Sequence, residues 1–206
     1  MPNRFELLVF DWDGTLMDSA GAIIASIQAS CLDLGLPVPE RERAAHVIGL
    51  GLKDALSYAV PELPPSDYGR LAERYRHHYL ARDPDIELFP GMREMLAGLK
   101  HRGHLLAVAT GKTRVGLERV LAATQLKQYF DASRCADETH SKPHPAMLQE
   151  LMQELLIEPQ ATLMIGDTAH DLQMAVNAGV PALAVSYGAH PRDSLSGFNS
   201  LACIAT

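Results

Sequence analysis

Four consecutive apolar residues, Leu7-Leu8-Val9-Phe10, run straight into Asp11-Trp12-Asp13-Gly14-Thr15, and this junction limits the folds open to the chain. An unbroken apolar run of strand length marks a strand covered on both faces, as in a parallel sheet flanked by helices. Asp11 and Asp13 emerge where that strand stops, and Gly14 permits a sharp turn away. Ligands of open α/β sheets bind just beyond the carboxyl ends of strands. Two carboxylates placed there repel unless they share a proton or flank a cation. A hard divalent ion with oxygen ligands, Mg²⁺ by preference, is the natural third party.

Beyond the first strand the pattern is helical as far as about Asp85. Ile23, Ile24, Ile27, Cys31 and Leu34 recur at three-to-four spacing, and Gly35 with Pro37 closes that helix. Gly49-Leu50-Gly51 reads as a glycine-rich loop leading into a helix near Asp54–Val60, and Leu71, Tyr75 and Tyr79 mark one face of another. No strand pattern interrupts this block. The alternation begins afterwards, with helices over Gly91–Arg102, Thr113–Thr124, Pro145–Leu156 and Leu172–Asn177. Strands are expected at Leu105–Ala109, Ala132–Cys135, Leu163–Ile165 and Pro181–Val185. Strands alternating with helices give a mostly parallel, doubly wound sheet. The expected fold is therefore α/β, a Rossmann-like doubly wound core (1–16 and 86–206) carrying an inserted all-helical cap (17–85). The chain stops soon after the apolar Leu201-Ala202-Cys203-Ile204-Ala205, so a terminal helix is absent or dispensable in this reading.

Among 206 residues, 18 Lys+Arg stand against 25 Asp+Glu, for a formal charge of −7. That balance argues against nucleic acid as the main partner, which rewards clustered cations. A small phosphorylated ligand needs only a local cationic pocket. Cys31, Cys135 and Cys203 are odd in number and show no CxxC spacing, which reads as free thiols in a reducing compartment. The opening Met1-Pro2-Asn3-Arg4-Phe5-Glu6 has no apolar signal region, and no run approaches membrane-spanning length. A cytoplasmic protein without membrane partners, monomeric or homodimeric, is expected.

Three strand ends carry polar residues that belong together: Asp11/Asp13, Thr110 and Asp167/Asp171, with Lys142 joining from a loop. Singly, each has an ordinary explanation as a turn, a cap or a surface charge. Together, Asp11-Trp12-Asp13-Gly14-Thr15, Thr110, Lys142 and Gly166-Asp167-x-x-x-Asp171 resemble, in order and context, the four motifs of the haloacid dehalogenase superfamily of phosphatases. The helical insert resembles that superfamily's small cap, and Gly49-Leu50-Gly51 with Thr110-Gly111-Lys112 look most like phosphoglycolate phosphatases.

The resemblance implies a Mg²⁺-dependent phosphatase acting on a small phosphorylated metabolite, with 2-phosphoglycolate the first guess. Phosphate monoesters hydrolyse extremely slowly without a catalyst, and a carboxylate nucleophile divides the reaction into two easier steps. Asp11 is then the nucleophile and Asp13 the acid and base. Mg²⁺ is held by the Asp11 carboxylate, the Asp13 backbone carbonyl and Asp167, with Asp171 assigned to the metal site as an orienting group. Thr110 donates to a phosphate oxygen and Lys142 offsets the carboxylates. Gly49, Gly51, Gly111, Lys112 and Arg114 are candidates for contact with substrate.

Other motifs lead nowhere. Thr110-Gly111-Lys112-Thr113 imitates the tail of a nucleotide-binding P-loop, but Leu106 occupies the required glycine position. Nine histidines include no pair with a convincing metal spacing and third partner, and His170 is expected to face solvent. Asp13 speaks against a true haloacid dehalogenase or a phosphonoacetaldehyde hydrolase. A phosphomutase of the β-phosphoglucomutase type, a phosphatase for another sugar phosphate, and a non-catalytic phosphoacceptor are the alternatives.

Overall fold

A computed structural model describes residues 4–205. Met1–Asn3 and Thr206, expected to belong to the opening segment and the core, lie outside the described residues. The first strand, β1 (Leu7–Phe10), is followed by helices α1 (Ala20–Asp33), α2 (Arg41–His46), α3 (Leu52–Ala59) and α4 (Tyr68–Arg82). Then come α5 (Met92–His101), β2 (Leu105–Thr110), α6 (Arg114–Thr124), β3 (Ala132–Cys135) and α7 (Ala146–Leu155). The chain closes with β4 (Thr162–Gly166), α8 (Ala169–Ala178), β5 (Ala182–Val185), α9 (Arg192–Leu195) and β6 (Cys203–Ile204).

The six strands form one sheet in the order β3-β2-β1-β4-β5-β6, and every pairing is parallel. β1 is central because both faces of it are apolar. Leu7 and Val9 join one buried cluster with Met147, Leu151, Leu172 and Met174 of α7 and α8. Leu8 and Phe10 join another with Leu96 of α5 and Leu117 and Val120 of α6. The period-two alternation of a strand thus feeds two helical layers. Each such side chain, fully buried, contributes about 1.5–3 kcal/mol. On β2 the residues facing α7 are Ala107 and Ala109, small enough for that helix to approach.

Helices α1 to α4 surround a third cluster of their own, built on Ile23, Ile24, Ile27, Cys31, Leu56, Leu71 and Tyr79. The short α2 was not anticipated from sequence, because six residues carry too little periodicity to register. The C-terminal end adds a strand that was not read from sequence: Cys203-Ile204 pairs with Ala184-Val185 at the sheet edge, preceded by the one-turn α9. A two-residue strand leaves no alternation to read. All three cysteines are free, and no described helix is long and apolar enough to cross a membrane.

The strand order reverses direction at β1, between β2 and β4. That switch opens a crevice at the carboxyl ends of these three strands. Asp11 follows β1, Thr110 ends β2, and Asp167 follows β4.

Candidate active site

The register of the sheet brings the acidic residues together. Phe10 aligns with Val108 on one side and Ile165 on the other, and the Asp11 N–H donates to the Ile165 carbonyl at 2.9 Å. Asp11, Asp167 and Asp171 are all fully buried, with one carboxylate oxygen from each within 4.8 Å of the others. Lys142, reaching in from the loop before α7, donates to Asp11 Oδ1 and to Asp171 Oδ1, both at 2.6 Å. A lysine with a fully buried side chain is rare, and its two carboxylate partners explain its position.

Each remaining carboxylate oxygen has a defined environment. Asp171 Oδ2 accepts from the Thr168 N–H at 3.1 Å and its hydroxyl at 2.7 Å, closing a capping box at the start of α8. Asp167 accepts from the Thr15 hydroxyl at 2.8 Å and from the Ala189 N–H at 2.7 Å. Asp13 Oδ1 accepts from the Ser19 hydroxyl at 2.6 Å and pairs with Lys112 Nζ at 2.9 Å. Asp11 Oδ2 is buried with no hydrogen-bond partner among the described residues. Gly14 turns the chain beneath this group at φ 86°, and a methyl there would strike the Asp167 carboxylate.

Burial dominates the electrostatics. It raises Asp11 well above the ordinary carboxylate value; Lys142 opposes the shift, and Asp171 and Asp167 reinforce it. Burial, then the Asp171 charge, pushes Asp167 up to about 7. Burial alone would lower Lys142, but the charges of Asp11 and Asp171 outweigh it and hold the ammonium protonated. Three carboxylates thus face one lysine, and a divalent cation among them would lower the cost of ionising Asp11 and Asp167.

These residues fit a hard divalent cation. The donors are carboxylate oxygens, the local charge is in deficit of cations, and the partnerless Asp11 Oδ2 is the atom such an ion would satisfy. Asp11, Asp167 and Asp171 are the candidate carboxylates. Asp171, assigned to the metal site from sequence as an orienting group, also accepts from Lys142 and Thr168, contacts that suit an orienting position.

The substrate candidates divide. Thr110 is fully buried beside the cluster, and its hydroxyl oxygen accepts the Lys112 N–H at 3.2 Å, leaving the O–H to donate. Lys112 pairs with Asp13 and donates to the Tyr79 hydroxyl at 2.9 Å, linking α4 to the acidic site. Gly111 lies so close to the Gly49–Leu50 backbone that a methyl on it would sit 2.7 Å from the Gly49 carbonyl oxygen. The Gly51 N–H donates to the Ser141 hydroxyl at 2.8 Å. These three glycines thus allow the loop between α2 and α3 to lie directly on the sheet edge. Arg114 points elsewhere. It grips Glu138 through Nε at 2.8 Å and donates to the Ser133 hydroxyl at 2.7 Å, so its guanidinium is a structural clamp rather than a substrate contact.

Sequence reasoning missed several residues. Ser19 and Ser141 have no periodic or motif signal beyond being small and polar, and Thr15, although within the first motif, is assigned no role of its own. His46, His170 and His190 converge from separate elements, within 4.8 Å of one another, although no spacing announces them. His170 does not face solvent as expected: it is half-buried, with Nε2 2.7 Å from the His46 carbonyl oxygen. His190 uses both ring nitrogens on backbone, accepting from the Ala169 N–H and meeting the His46 carbonyl, each at 3.1 Å. This strap ties α2 to the start of α8.

Comparison with known proteins agrees with this geometry. The family described as haloacid dehalogenase-like hydrolase matches residues 8–185. A protein named "Probable phosphatase IndB" from Dickeya dadantii (strain 3937) is 38% identical over 196 residues, covering 92% of this chain and 84% of its own length. A phosphoglycolate phosphatase from Agrobacterium fabrum (strain C58) is 32% identical over 188 residues, covering 88% and 81% respectively. Among solved structures, a haloacid dehalogenase-like hydrolase from Streptococcus pneumoniae superposes with a TM-score of 0.84 at 22% identity, covering 98% of this chain and 95% of its own, which shows the shared fold. With the buried Asp11–Lys142–Asp171 cluster at its sheet switch point and the family match spanning nearly all of its strands, the chain belongs to the haloacid dehalogenase-like hydrolases.

Proposed function

We propose that this hydrolase is a Mg²⁺-dependent phosphatase that cleaves a small phosphorylated metabolite through an aspartyl-phosphate on Asp11. The observation that carries the reading is the state of Asp11: Oδ1 is pinned by the buried Lys142, while Oδ2 is buried without a partner. Pinning fixes the carboxylate for attack, and the lysine charge offsets repulsion from an incoming phosphate.

In the first step the Asp11 carboxylate attacks phosphorus and the ester P–O bond breaks. Asp13 gives its proton to the departing alkoxide. In the second step Asp13 takes a proton from water, the resulting hydroxide attacks phosphorus, and the P–O bond to Asp11 breaks to release inorganic phosphate. Ser19 and Lys112 both hold Asp13 through Oδ1, which leaves Oδ2 to carry the transferred proton. Thr110 donates its hydroxyl proton to a phosphate oxygen. Asp11, Asp167 and the Asp13 carbonyl would hold Mg²⁺, which would supply positive charge that lowers the repulsion between the anionic nucleophile and the phosphate.

In this reading residues 17–85 are the cap and 1–16 with 86–206 the catalytic core, in a cytoplasmic enzyme without nucleic-acid or membrane partners, monomeric or homodimeric. Phosphoglycolate enters as the compound for which several relatives are named. The test is phosphate release from phosphoglycolate, sugar phosphates and simple alkyl and aryl phosphates, with Mg²⁺ or EDTA, for the wild type and Asp11→Asn. Metal-dependent release lost in the variant is expected. An isomerised sugar phosphate in place of free phosphate would show a mutase instead, and a stable phosphoprotein without turnover a phosphoacceptor.

A further inference from the structure

Beside Asp13 a chamber of about 460 Å³ opens between α1, α3, α4 and the start of α6. Asp13 is the proton donor in the reading above, so this chamber is where the leaving alcohol must lie. Its volume corresponds to about fifteen waters at about 30 Å³ each, whereas the five non-hydrogen atoms of glycolate would fill about a third of it on the same allowance.

The wall is apolar on its inner side, with Ile23, Ile27, Val47, Ile48 and Leu52 among its lining. Tyr75 and Tyr79 also line it, their rings stacked at 5.8 Å with an interplanar angle of 21°. A flat ring entering the chamber meets aromatic and branched aliphatic surface.

Two of the three cations on the lining are already committed. Lys112 is paired with Asp13 at 2.9 Å and with the Tyr79 hydroxyl. Arg119 is paired with Asp83 at 2.8 Å. Arg76, the third, is exposed. A carboxylate on the leaving group would lose its hydration against apolar wall with only the exposed, hydrated Arg76 unpaired, among the described residues of the lining, to receive it, which is costly. An uncharged ring loses nothing and gains burial.

Resting on the phosphatase reading, we propose that the preferred substrates are phosphate monoesters whose leaving alcohol carries an uncharged aromatic or heteroaromatic ring, rather than small carboxylate-bearing esters such as phosphoglycolate. The ring occupies the Tyr75–Tyr79 chamber while the phosphate faces Asp11.

The test compares kcat/KM for 2-phenylethyl phosphate, ethyl phosphate and phosphoglycolate, three esters of alkyl alcohols, with p-nitrophenyl phosphate as an activated control. The expected result is at least a tenfold advantage of 2-phenylethyl phosphate over each of the other two alkyl esters. Ala55→Phe, which fills the chamber from α3, should cut the phenylethyl-to-ethyl ratio by at least fivefold. Should that variant not fold, the wild-type ratios alone decide the matter. Phosphoglycolate or ethyl phosphate matching the phenylethyl ester overturns the substrate class and leaves the phosphatase reading standing. Silence from every compound, p-nitrophenyl phosphate included, with Mg²⁺ present and the fold intact, overturns both.

Discussion

Replacing Lys142 by methionine removes the one cation from a fully buried cluster while keeping the length of the side chain. Asp11 Oδ1 and Asp171 Oδ1 each lose a donor at 2.6 Å, and nothing else among the described residues donates to either atom. Water cannot compensate, because both carboxylates are 0% exposed. Breaking a buried ion pair by deleting one partner costs about 3–5 kcal/mol, and two charge-assisted hydrogen bonds at about 1.5–3 kcal/mol each give a similar sum. The pH dependence has a defined sign. Burial already holds Asp11 above its ordinary value of 3.8, and without Lys142 to oppose that shift it moves higher. A carboxyl with a raised folded-state pKa loses stability as pH rises, so the deficit is greatest near pH 8 and shrinks toward pH 4. Urea unfolding of both proteins at pH 8 and pH 5 in EDTA measures this. Adding Mg²⁺ should stabilise the protein again, by about 2.7 kcal/mol for each hundredfold excess over its Kd. A deficit under about 1 kcal/mol at pH 8, or one that grows on acidification, would refute the reasoning, since the lysine would then not be neutralising buried carboxylates.

Other substitutions probe separate parts of the structure. Gly14→Ala imposes a φ of 86° on an L-residue and drives its methyl into Asp167, so it should abolish activity and weaken Mg²⁺ binding by calorimetry, while Ala at Gly21, where a methyl meets nothing, should do neither. Gly111→Ala collides with the Gly49–Leu50 backbone and should lower kcat/KM by at least tenfold with a smaller change in Tm; unchanged kinetics would show that the loop need not lie against the sheet. His190 is only 3% exposed, and burial first of all lowers its pKa to about 4. Its neutral ring contributes stability that is complete above pH 6.5 and lost as pH falls toward 4, about 2–3 kcal/mol in all. Unfolding midpoints at pH 7 and pH 4.5 should therefore fall further apart in the wild type than in His190→Asn.

Much of this fold is written in local pattern. The Leu7–Phe10 run announces a strand covered on both faces, and the packing of alternate residues into two clusters shows why no polar residue interrupts it. The helical stretch from Ile23 to Tyr79 is legible because its apolar spacing builds a cluster independent of the sheet. Asp11, Thr110 and Asp167 stand where apolar runs end, while Lys142, a single lysine in a loop, is singled out only by the resemblance to the four motifs. What escaped depends on partners distant in sequence. Arg114 looked like a substrate contact beside Thr110, yet Glu138, 24 positions on, captures it. The meeting of His46 with His170 and His190, separated by 124 and 144 positions, has no periodicity to betray it. The edge strand Cys203–Ile204 arises from pairing with β5 rather than from its own two residues.

The central claim is that Asp11 becomes phosphorylated during turnover. The direct measurement is to quench the enzyme in acid while it hydrolyses p-nitrophenyl phosphate with Mg²⁺, reduce with borohydride, and sequence the peptide spanning Leu7–Asp18 by mass spectrometry. An acyl phosphate at Asp11 is reduced to the alcohol, so homoserine at position 11 is predicted, and it should vanish in EDTA and in Asp11→Asn. Turnover with Asp11 recovered as unmodified aspartate, or homoserine at another carboxylate, would contradict the account.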